Sequence, residues 1–178
     1  RVIKFRQLNQ RGIFVNIKLV EKKVSDINAD ILIEFLTKDE LSGHKEIKTL
    51  KSAGFKAEQD STCFLYEKGV LLCGVDSKKG DDIRSAAACM IKILKSSNYK
   101  SAKVSALSKS SLAALVEGIV LGGYEFNEYK SEPKKVTLKS ISIASNEPEF
   151  SAFETIFKEA LIVANANCFT RDILNRAT

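Results

Sequence analysis

The stretch Glu117-Gly-Ile-Val-Leu-Gly-Gly-Tyr-Glu-Phe-Asn-Glu-Tyr-Lys130 decides how the middle of the chain folds, because it completes and then ends an apolar helix face. That face recurs at three- and four-residue spacing, and its members are Leu112, Leu115, Val116, Ile119 and Val120. Ser108 or Ser110 is a suitable N-cap. Gly122 and Gly123 are expected to end the helix in the left-handed conformation that glycine adopts without steric strain.

Strands and helices alternate outward from this stretch. The clearest amphipathic helix has a stripe formed by Ile83, Ala86, Ala87, Met90, Ile91 and Leu94. Asp81 and Asp82 are predicted to cap and charge its start. Strands are predicted at 13–20, 29–36, 63–67, 70–75, 102–107 and 136–143, with Lys68-Gly69 as a tight hairpin turn. Further helices are predicted at 39–52, ending at Gly54, and from Asn146 and Pro148 to about Leu174, with Phe150, Phe153, Phe157, Leu161 and Ala164 on one face.

This order of elements predicts an α/β fold, a three-layer α/β/α sandwich around a mixed sheet. A length of 178 residues fits one domain. No apolar stretch approaches the ~20 residues that cross a bilayer, and the N-terminus lacks the apolar core of a signal peptide. We therefore expect a cytoplasmic protein that does not enter a membrane.

The net charge of +6 is concentrated at the N-terminus. Residues 1–24 hold seven basic side chains against Glu21 alone, and the rest of the chain carries equal numbers of acidic and basic side chains. The basic residues of this segment are Arg1, Lys4, Arg6, Arg11, Lys18, Lys22 and Lys23. Such a segment can attract nucleic acid or an acidic partner. It is also typical of a strand edge that lysines keep soluble, and that interpretation is the favoured one.

Candidate catalytic and metal-binding groups are few. His44 is the single histidine and has no neighbouring cysteine, so a zinc site or a Ser-His-Asp arrangement is not expected, and an exposed histidine on a helix face is the favoured interpretation. Asp81-Asp82 is a carboxylate pair, but a helix-start role is favoured over metal binding. Gly118 lies within a helix, whereas phosphate-binding glycines precede one. Cys63, Cys73, Cys89 and Cys168 form no Cys-x-x-Cys pair, so buried reduced thiols are expected.

Two segments carry a family resemblance. The stretch 117–130 is similar to a run in the N-terminal domain of cytosolic leucyl aminopeptidases (the M17 group): Glu-Gly, apolar residues, Gly, an aromatic residue, Phe, then Tyr-Lys. Arg171-Asp-Ile-Leu-Asn175 resembles the family's Arg-Asp-Leu-Val-Asn element, which leads into the catalytic domain. The alanine-rich helix at 81–97 resembles the family's first well-defined helix. After Asn175 the family continues with a proline-rich stretch, whereas this chain has Arg176-Ala-Thr178.

The resemblance implies a macro-domain-like fold, with a non-catalytic domain at 1–165 and the start of a junction at 166–178. It implies that Gly118 permits close helix packing, and that Tyr124, Phe126 and Tyr129 anchor the turn after the helix to the sheet. It also implies a parent enzyme that removes N-terminal residues from peptides, using two divalent ions (Mn or Zn) held by a C-terminal domain, and that assembles as a homo-hexamer. The family's metal-ligand motif, Asn-Thr-Asp-Ala-Glu-Gly-Arg, does not occur in this sequence, so no catalytic, cofactor-binding or metal-binding residue is assigned.

Two alternatives stay open. The first is a nucleic-acid-binding accessory module that uses the basic segment 1–24, and the second is a free-standing α/β domain that binds a small molecule. ADP-ribose, the ligand of many macro domains, is not expected, because Thr37-Lys-Asp-Glu40 follows the strand at 29–36 and no glycine-rich loop is present.

Overall fold

A computed structural model describes residues 1–6, 15–132, 135–146 and 148–176. Its strands are β1 (Val2–Arg6), β2 (Asn16–Glu21), β3 (Ile31–Leu36), β4 (Thr62–Leu65), β5 (Val70–Gly74), β6 (Ser101–Ser105) and β7 (Ser140–Ser145). Its helices are α1 (Lys38–Ser42), α2 (Ile47–Ser52), α3 (Gly80–Lys95), α4 (Lys109–Gly122) and α5 (Phe150–Arg176). Short 3-10 turns occur at Val24–Asp26 and Tyr66–Lys68.

The strands form one mixed sheet in the order β1-β2-β7-β6-β3-β5-β4. The five central strands run parallel, and β1 and β4 are antiparallel edge strands. Alternation places one set of side chains on each face of the sheet. In the middle, Ile33 of β3 lies between Leu71 of β5 and Val104 of β6, and all three belong to the main core.

Helices lie on both faces of this sheet. Helices α3, α4 and α5 cover one face, and their apolar stripes pack on the strands in a single large core that contains Ile83, Leu115 and Phe157. On the other face, α1 and α2 cover β3, β5 and β4 through a smaller cluster around Leu50 and Leu72. The predicted α/β/α sandwich around a mixed sheet is thereby confirmed.

Strand and helix boundaries differ from the predictions at several places. The predicted helix at 39–52 is two short helices, because a capping box between Thr37 and Glu40 starts α1 and Gly43 ends it. The strand predicted at 136–143 pairs only from Ser140, and β1 was not predicted because its charged residues interrupt the apolar pattern. The hairpin turn spans the 3-10 turn and Gly69 (φ 61°), which is longer than the two residues predicted. The first two residues of the strand predicted at 13–20 lie outside the described ranges.

Of the predicted helix N-caps, the one for α4 is confirmed and the one for α3 is wrong. Ser108 caps α4 by accepting from the backbone N–H of Ser111 at 3.1 Å, as predicted. The N-cap of α3 is Lys79, and its side chain makes no capping bond, so the predicted aspartate cap is wrong. Asp81 and Asp82 nevertheless lie in the first turn, where Asp82 accepts from Ser77 at 2.6 Å. The helix-start position of this pair is therefore confirmed.

The glycines of α4 allow this helix to pack closely on α3, and they do not end it in a left-handed conformation. Neither Gly122 nor Gly123 has a positive φ, so the predicted conformation is wrong. A Cβ on Gly118 would lie 2.4 Å from the carbonyl oxygen of Arg84, and one on Gly122 would lie 2.5 Å from Cα of Ala88. Real atoms cannot approach so closely, so glycine is required wherever α4 crosses α3. Close packing at Gly118 is confirmed.

Candidate functional site

Helix α5 changes its surroundings along its length. The residues that pack into the core are Phe150, Phe153, Phe157, Ala160, Leu161, Ala164 and Cys168. A second set of apolar residues points away from the core, and these are Ile162, Val163, Phe169, Ile173 and Leu174, with 49% to 67% of their surface exposed. We call this second set the junction face. An exposed apolar cluster of this kind on a folded protein typically marks an interaction surface.

The loop after α4 holds the far end of α5. The hydroxyl of Tyr124 donates to Asp172 at 2.8 Å, and the side-chain amide of Asn175 donates to the Tyr124 oxygen at 3.3 Å. Arg176 donates to Glu128 at 2.6 Å. We call these five residues the junction latch. It joins the two segments that carry the family resemblance.

Tyr124, Phe126 and Tyr129 were predicted to anchor this loop to the sheet. The polar contacts of Tyr124 are with helix α5. The hydroxyl of Tyr124 bonds to α5, and the guanidinium of Arg171 lies 5.6 Å from its ring centroid. Phe126 and Tyr129 stack edge to face with each other at 5.3 Å, and Tyr129 is 69% exposed. Tyr124 also packs against the main core, so the turn contacts the core through this ring and the end of α5 through its hydroxyl.

Ion pairing stabilises the start of the same loop. The ammonium of Lys95, at the end of α3, donates to the carbonyl of Gly123 at 2.7 Å and to the carboxylate of Glu125 at 2.6 Å. The hydrogen bond from Lys95 is the main reason that the pKa of Glu125 lies below its usual value. Burial and the bond to Asp172 raise the pKa of Tyr124, so its hydroxyl keeps its proton and donates.

A cleft of about 450 Å³ opens between the carboxyl ends of β3 and β6. Chain connections leave these two strands in opposite directions, which is the usual position of ligand sites in open α/β sheets. Its polar lining includes His44, Glu34 and a Glu40–Lys78 ion pair. The lining holds Glu34 and Glu40 but also Lys45 and Lys78, so its acidic and basic groups balance. That ADP-ribose does not bind stays a prediction.

His44 lies in the turn between α1 and α2, so the predicted exposed position on a helix face is wrong. Only 11% of its side chain is exposed. Its Nδ1 accepts from the backbone N–H of Glu46 at 3.1 Å, and its Nε2 is 3.5 Å from a carboxylate oxygen of Glu34. The bond at Nδ1 holds the histidine in the turn, and its Nε2 faces the carboxylate of Glu34.

Metal-binding chemistry has little basis in the residues described. Among them, no three His, Cys, Asp or Glu side chains are grouped so that they could hold a metal ion. All four cysteines are free; Cys73 and Cys168 are buried, while Cys63 and Cys89 are half-buried. Burial raises the pKa of all four thiols, which makes them poor nucleophiles. The assignment of no catalytic or metal-binding residue stays a prediction.

Part of the basic N-terminal segment lies on the sheet face opposite α3, α4 and α5. Lys4 of β1 pairs with Lys18 of β2, Lys18 pairs with Ser142 of β7, and Ser142 pairs with Lys103 of β6. Because paired residues point to the same face, the three lysines form one line across four strands, which we call the lysine row. Residues 7–14, including Arg11, lie outside the described ranges.

Fold and contacts together define a three-layer α/β domain whose last helix extends an apolar face beyond the core. The protein-family model that describes the N-terminal domain of the cytosol aminopeptidase family matches residues 20–133 of the sequence. The chain therefore belongs to the cytosol aminopeptidase (M17) family and corresponds to its N-terminal domain. In the described residues no helix has the length and apolar character needed to cross a membrane.

Curated relatives agree with this assignment, and solved structures are similar in fold. Probable cytosol aminopeptidases of Wolinella succinogenes and Campylobacter jejuni are 29% and 32% identical, over 84% and 89% of this chain. Those matches cover 31% and 34% of the relatives, so the chain spans about a third of their length. A tomato leucine aminopeptidase variant is similar in fold, with a TM-score of 0.69 at 23% identity, covering 89% of this chain and 38% of that one. The bottromycin maturation enzyme BotP has a TM-score of 0.65 at 24% identity, covering 83% and 33%.

Proposed function

We propose that this chain is the non-catalytic N-terminal domain of a cytoplasmic metalloaminopeptidase that removes N-terminal residues, leucine among them, from peptides. The observation that carries this proposal is the junction face. Five large apolar side chains are exposed along the last turns of α5, and the junction latch fixes the direction of those turns. A following catalytic domain packed on this face would remove it from water.

The domain acts in this proposal through shape and position rather than through chemistry. The parent enzyme would use two divalent ions, Mn or Zn, and in this proposal the catalytic domain that follows this chain would hold them. The α/β/α body would contribute contacts within a homo-hexamer and limit how peptides reach the catalytic domain. Residues 166–178 would form the start of the connection between the two domains.

The test compares leucyl-anilide hydrolysis, with added Mn²⁺, by this chain and by a longer natural protein that contains it. We expect activity only in the longer protein. Within that protein, the double variant Phe169→Glu/Ile173→Glu should lower kcat/KM by about tenfold or more, because charges would be placed in a contact between domains. Thr49→Glu/Ser52→Glu is the matched control, since both side chains are neutral and exposed on α2, on the other side of the sheet from α5.

Three results would contradict the proposal. Activity of this chain alone would place the catalytic residues within it. A fully active Phe169→Glu/Ile173→Glu variant of the longer protein would show that no domain packs on the junction face. An inactive longer protein would remove the aminopeptidase assignment.

The lysine row favours a second candidate function, an accessory nucleic-acid-binding surface. Lys4, Lys18 and Lys103 lie on one sheet face. Ser142 lies between Lys18 and Lys103, and none of the residues that pair with these three lysines is acidic. Backbone phosphates would contact such a row. Titration with duplex DNA should then give an affinity that falls steeply with salt.

Charge-matched variants distinguish a specific surface from general basicity. Lys4→Ser/Lys18→Ser should weaken DNA binding and reduce the salt slope by about two. Lys48→Ser/Lys51→Ser removes the same charge from exposed positions of α2 and should leave the binding unchanged. Equal effects of the two pairs, or no binding at low salt, would contradict this second function.

A further inference from the structure

A groove lies between the edge strand β4 and the carboxyl-terminal half of α3. Its volume is about 740 Å³, and it is lined by Phe64, Tyr66, Ile93 and Tyr99 together with Lys92 and the turn at 96–98. We call it the edge groove. It belongs neither to the junction face nor to the cleft that holds His44.

Three aromatic rings form one wall of the edge groove. Phe64 stacks on Tyr66 with ring centroids 5.0 Å apart and planes at 13°, and it stacks on Tyr99 at 6.1 Å and 21°. Tyr66 is 73% exposed, so one end of the stack faces solvent. Flat, rigid aromatic surfaces of this kind bind apolar or aromatic side chains with little loss of conformational entropy.

The strand beside this wall has an open hydrogen-bonding edge. Within the described residues β4 is the last strand of the sheet and pairs only with β5. Backbone N–H and C=O groups on its other edge are therefore available to a further strand. An edge strand next to a helix-lined groove is the arrangement by which sheets bind extended peptides.

We propose that the edge groove binds an extended peptide, which adds to β4 as an eighth strand of the sheet. Its alternate apolar side chains pack against Phe64, Tyr66 and Tyr99. An acidic side chain of the peptide pairs with the exposed ammonium of Lys92. This proposal does not depend on the aminopeptidase assignment.

A stacked nucleobase is the competing ligand, and the charge of the groove disfavours it. Among the described residues that line the groove, Lys92 is the one cation, so there is no basic track for the successive phosphates of a nucleic acid. A single acidic side chain of a peptide needs only Lys92 as its partner.

Fluorescence anisotropy of the 178-residue chain tests the proposal with a fluorescein-labelled Asp-Val-Phe-Val-Phe-Asp peptide. We expect saturable binding. Tyr66→Ala should raise Kd about tenfold, as removal of a central aromatic contact does. Tyr129→Ala is the matched control, because Tyr129 is 69% exposed and lies outside the groove, and it should leave Kd unchanged.

Two further probes separate strand addition from simple apolar adsorption. The same peptide with N-methylated valines keeps its side chains but loses backbone donors, and it should bind at least tenfold more weakly. Oligothymidine of matched length should not compete. The proposal is overturned by equal binding of the methylated peptide, by equal effects of the two tyrosine variants, by tighter binding of oligothymidine, or by no binding of the peptide.

Discussion

Both halves of α5 carry large apolar side chains, but the surroundings of these side chains are opposite. Phe157 is fully buried against the sheet and α4, whereas Phe169, twelve positions later on the same helix, is 58% exposed. Helix propensity alone does not explain why the second half stays helical and attached. The junction latch supplies polar contacts there in place of a core. The comparison teaches that the core contacts of α5 end at Cys168, and that the exposed apolar side chains of the turns beyond it are available to a partner.

Replacing Phe157 or Phe169 with alanine should give the largest difference in unfolding free energy between the two halves of α5. Phe157→Ala should lower the free energy of unfolding by about 4 kcal/mol, because it leaves a cavity in the core. Phe169→Ala should change it by less than about 0.5 kcal/mol in this chain. Urea denaturation followed by circular dichroism measures both. A large loss for Phe169→Ala would mean that the exposed half is already covered in solution, for example by a second copy.

The support beneath α5 depends on how closely α4 approaches α3. Gly118→Ala should cost about 2 kcal/mol, because the new methyl would meet a backbone carbonyl, and this outweighs the roughly 1 kcal/mol that alanine gains in a helix. Gly43→Ala is the control, since its nearest contact would be 4.0 Å away and its φ is −93°. Similar unfolding free energies for the two variants would show that the crossing can widen freely.

Removing one hydroxyl should loosen only the second half of α5. Tyr124→Phe deletes the donor to Asp172 and the acceptor of Asn175, a loss of about 1 kcal/mol. Native-state hydrogen exchange should show faster opening of amides at 170–176 and little change at 153–161. Uniform acceleration along the helix would show that α5 unfolds as one unit and that the two halves are not distinct.

Acid should weaken the loop that carries the latch. The pKa of Glu125 is lowered in the fold from its ordinary 4.5, so its contribution is present above pH 4.5 and is lost as the pH falls through the folded value. Glu125→Gln should therefore melt at a lower temperature than the wild-type chain at pH 6, and the gap should close towards pH 3. Glu67→Gln, an exposed carboxylate at the opposite edge of the sheet, should show no such closing gap. A gap for Glu125→Gln that stays constant with pH would contradict the role of the Lys95 pair.

Long periodic stripes in the sequence gave reliable predictions of α3, α4 and α5, because each buries a continuous face in one core. Weak patterns failed. Helix 39–52 had loose spacing and a glycine in its middle, and β1 had charges that hid its alternation. Gly118 was predicted correctly as a packing residue, but the partner that makes it necessary, Arg84, could be found only from coordinates.

The candidate site was predictable only in part. Ile162, Phe169 and Ile173 lie off the stripe of the last helix, and apolar residues off a stripe are a signal that the sequence offers. The bond between Tyr124 and Asp172 joins positions 48 residues apart, and no local pattern reports such a contact. The stack of Phe64 and Tyr99 is also formed by tertiary structure alone.

The pairing of β2 with β7 has a consequence for how the chain acquires its structure. Asn16 lies beside Ser140, so β2 has no parallel neighbour until 140 − 16 = 124 further residues have been synthesised. Closing so long a loop is slow, and the unpaired β1–β2 segment is exposed in the meantime. We expect the lysines on that segment to discourage nascent chains from pairing with one another before β7 is made, because like charges repel.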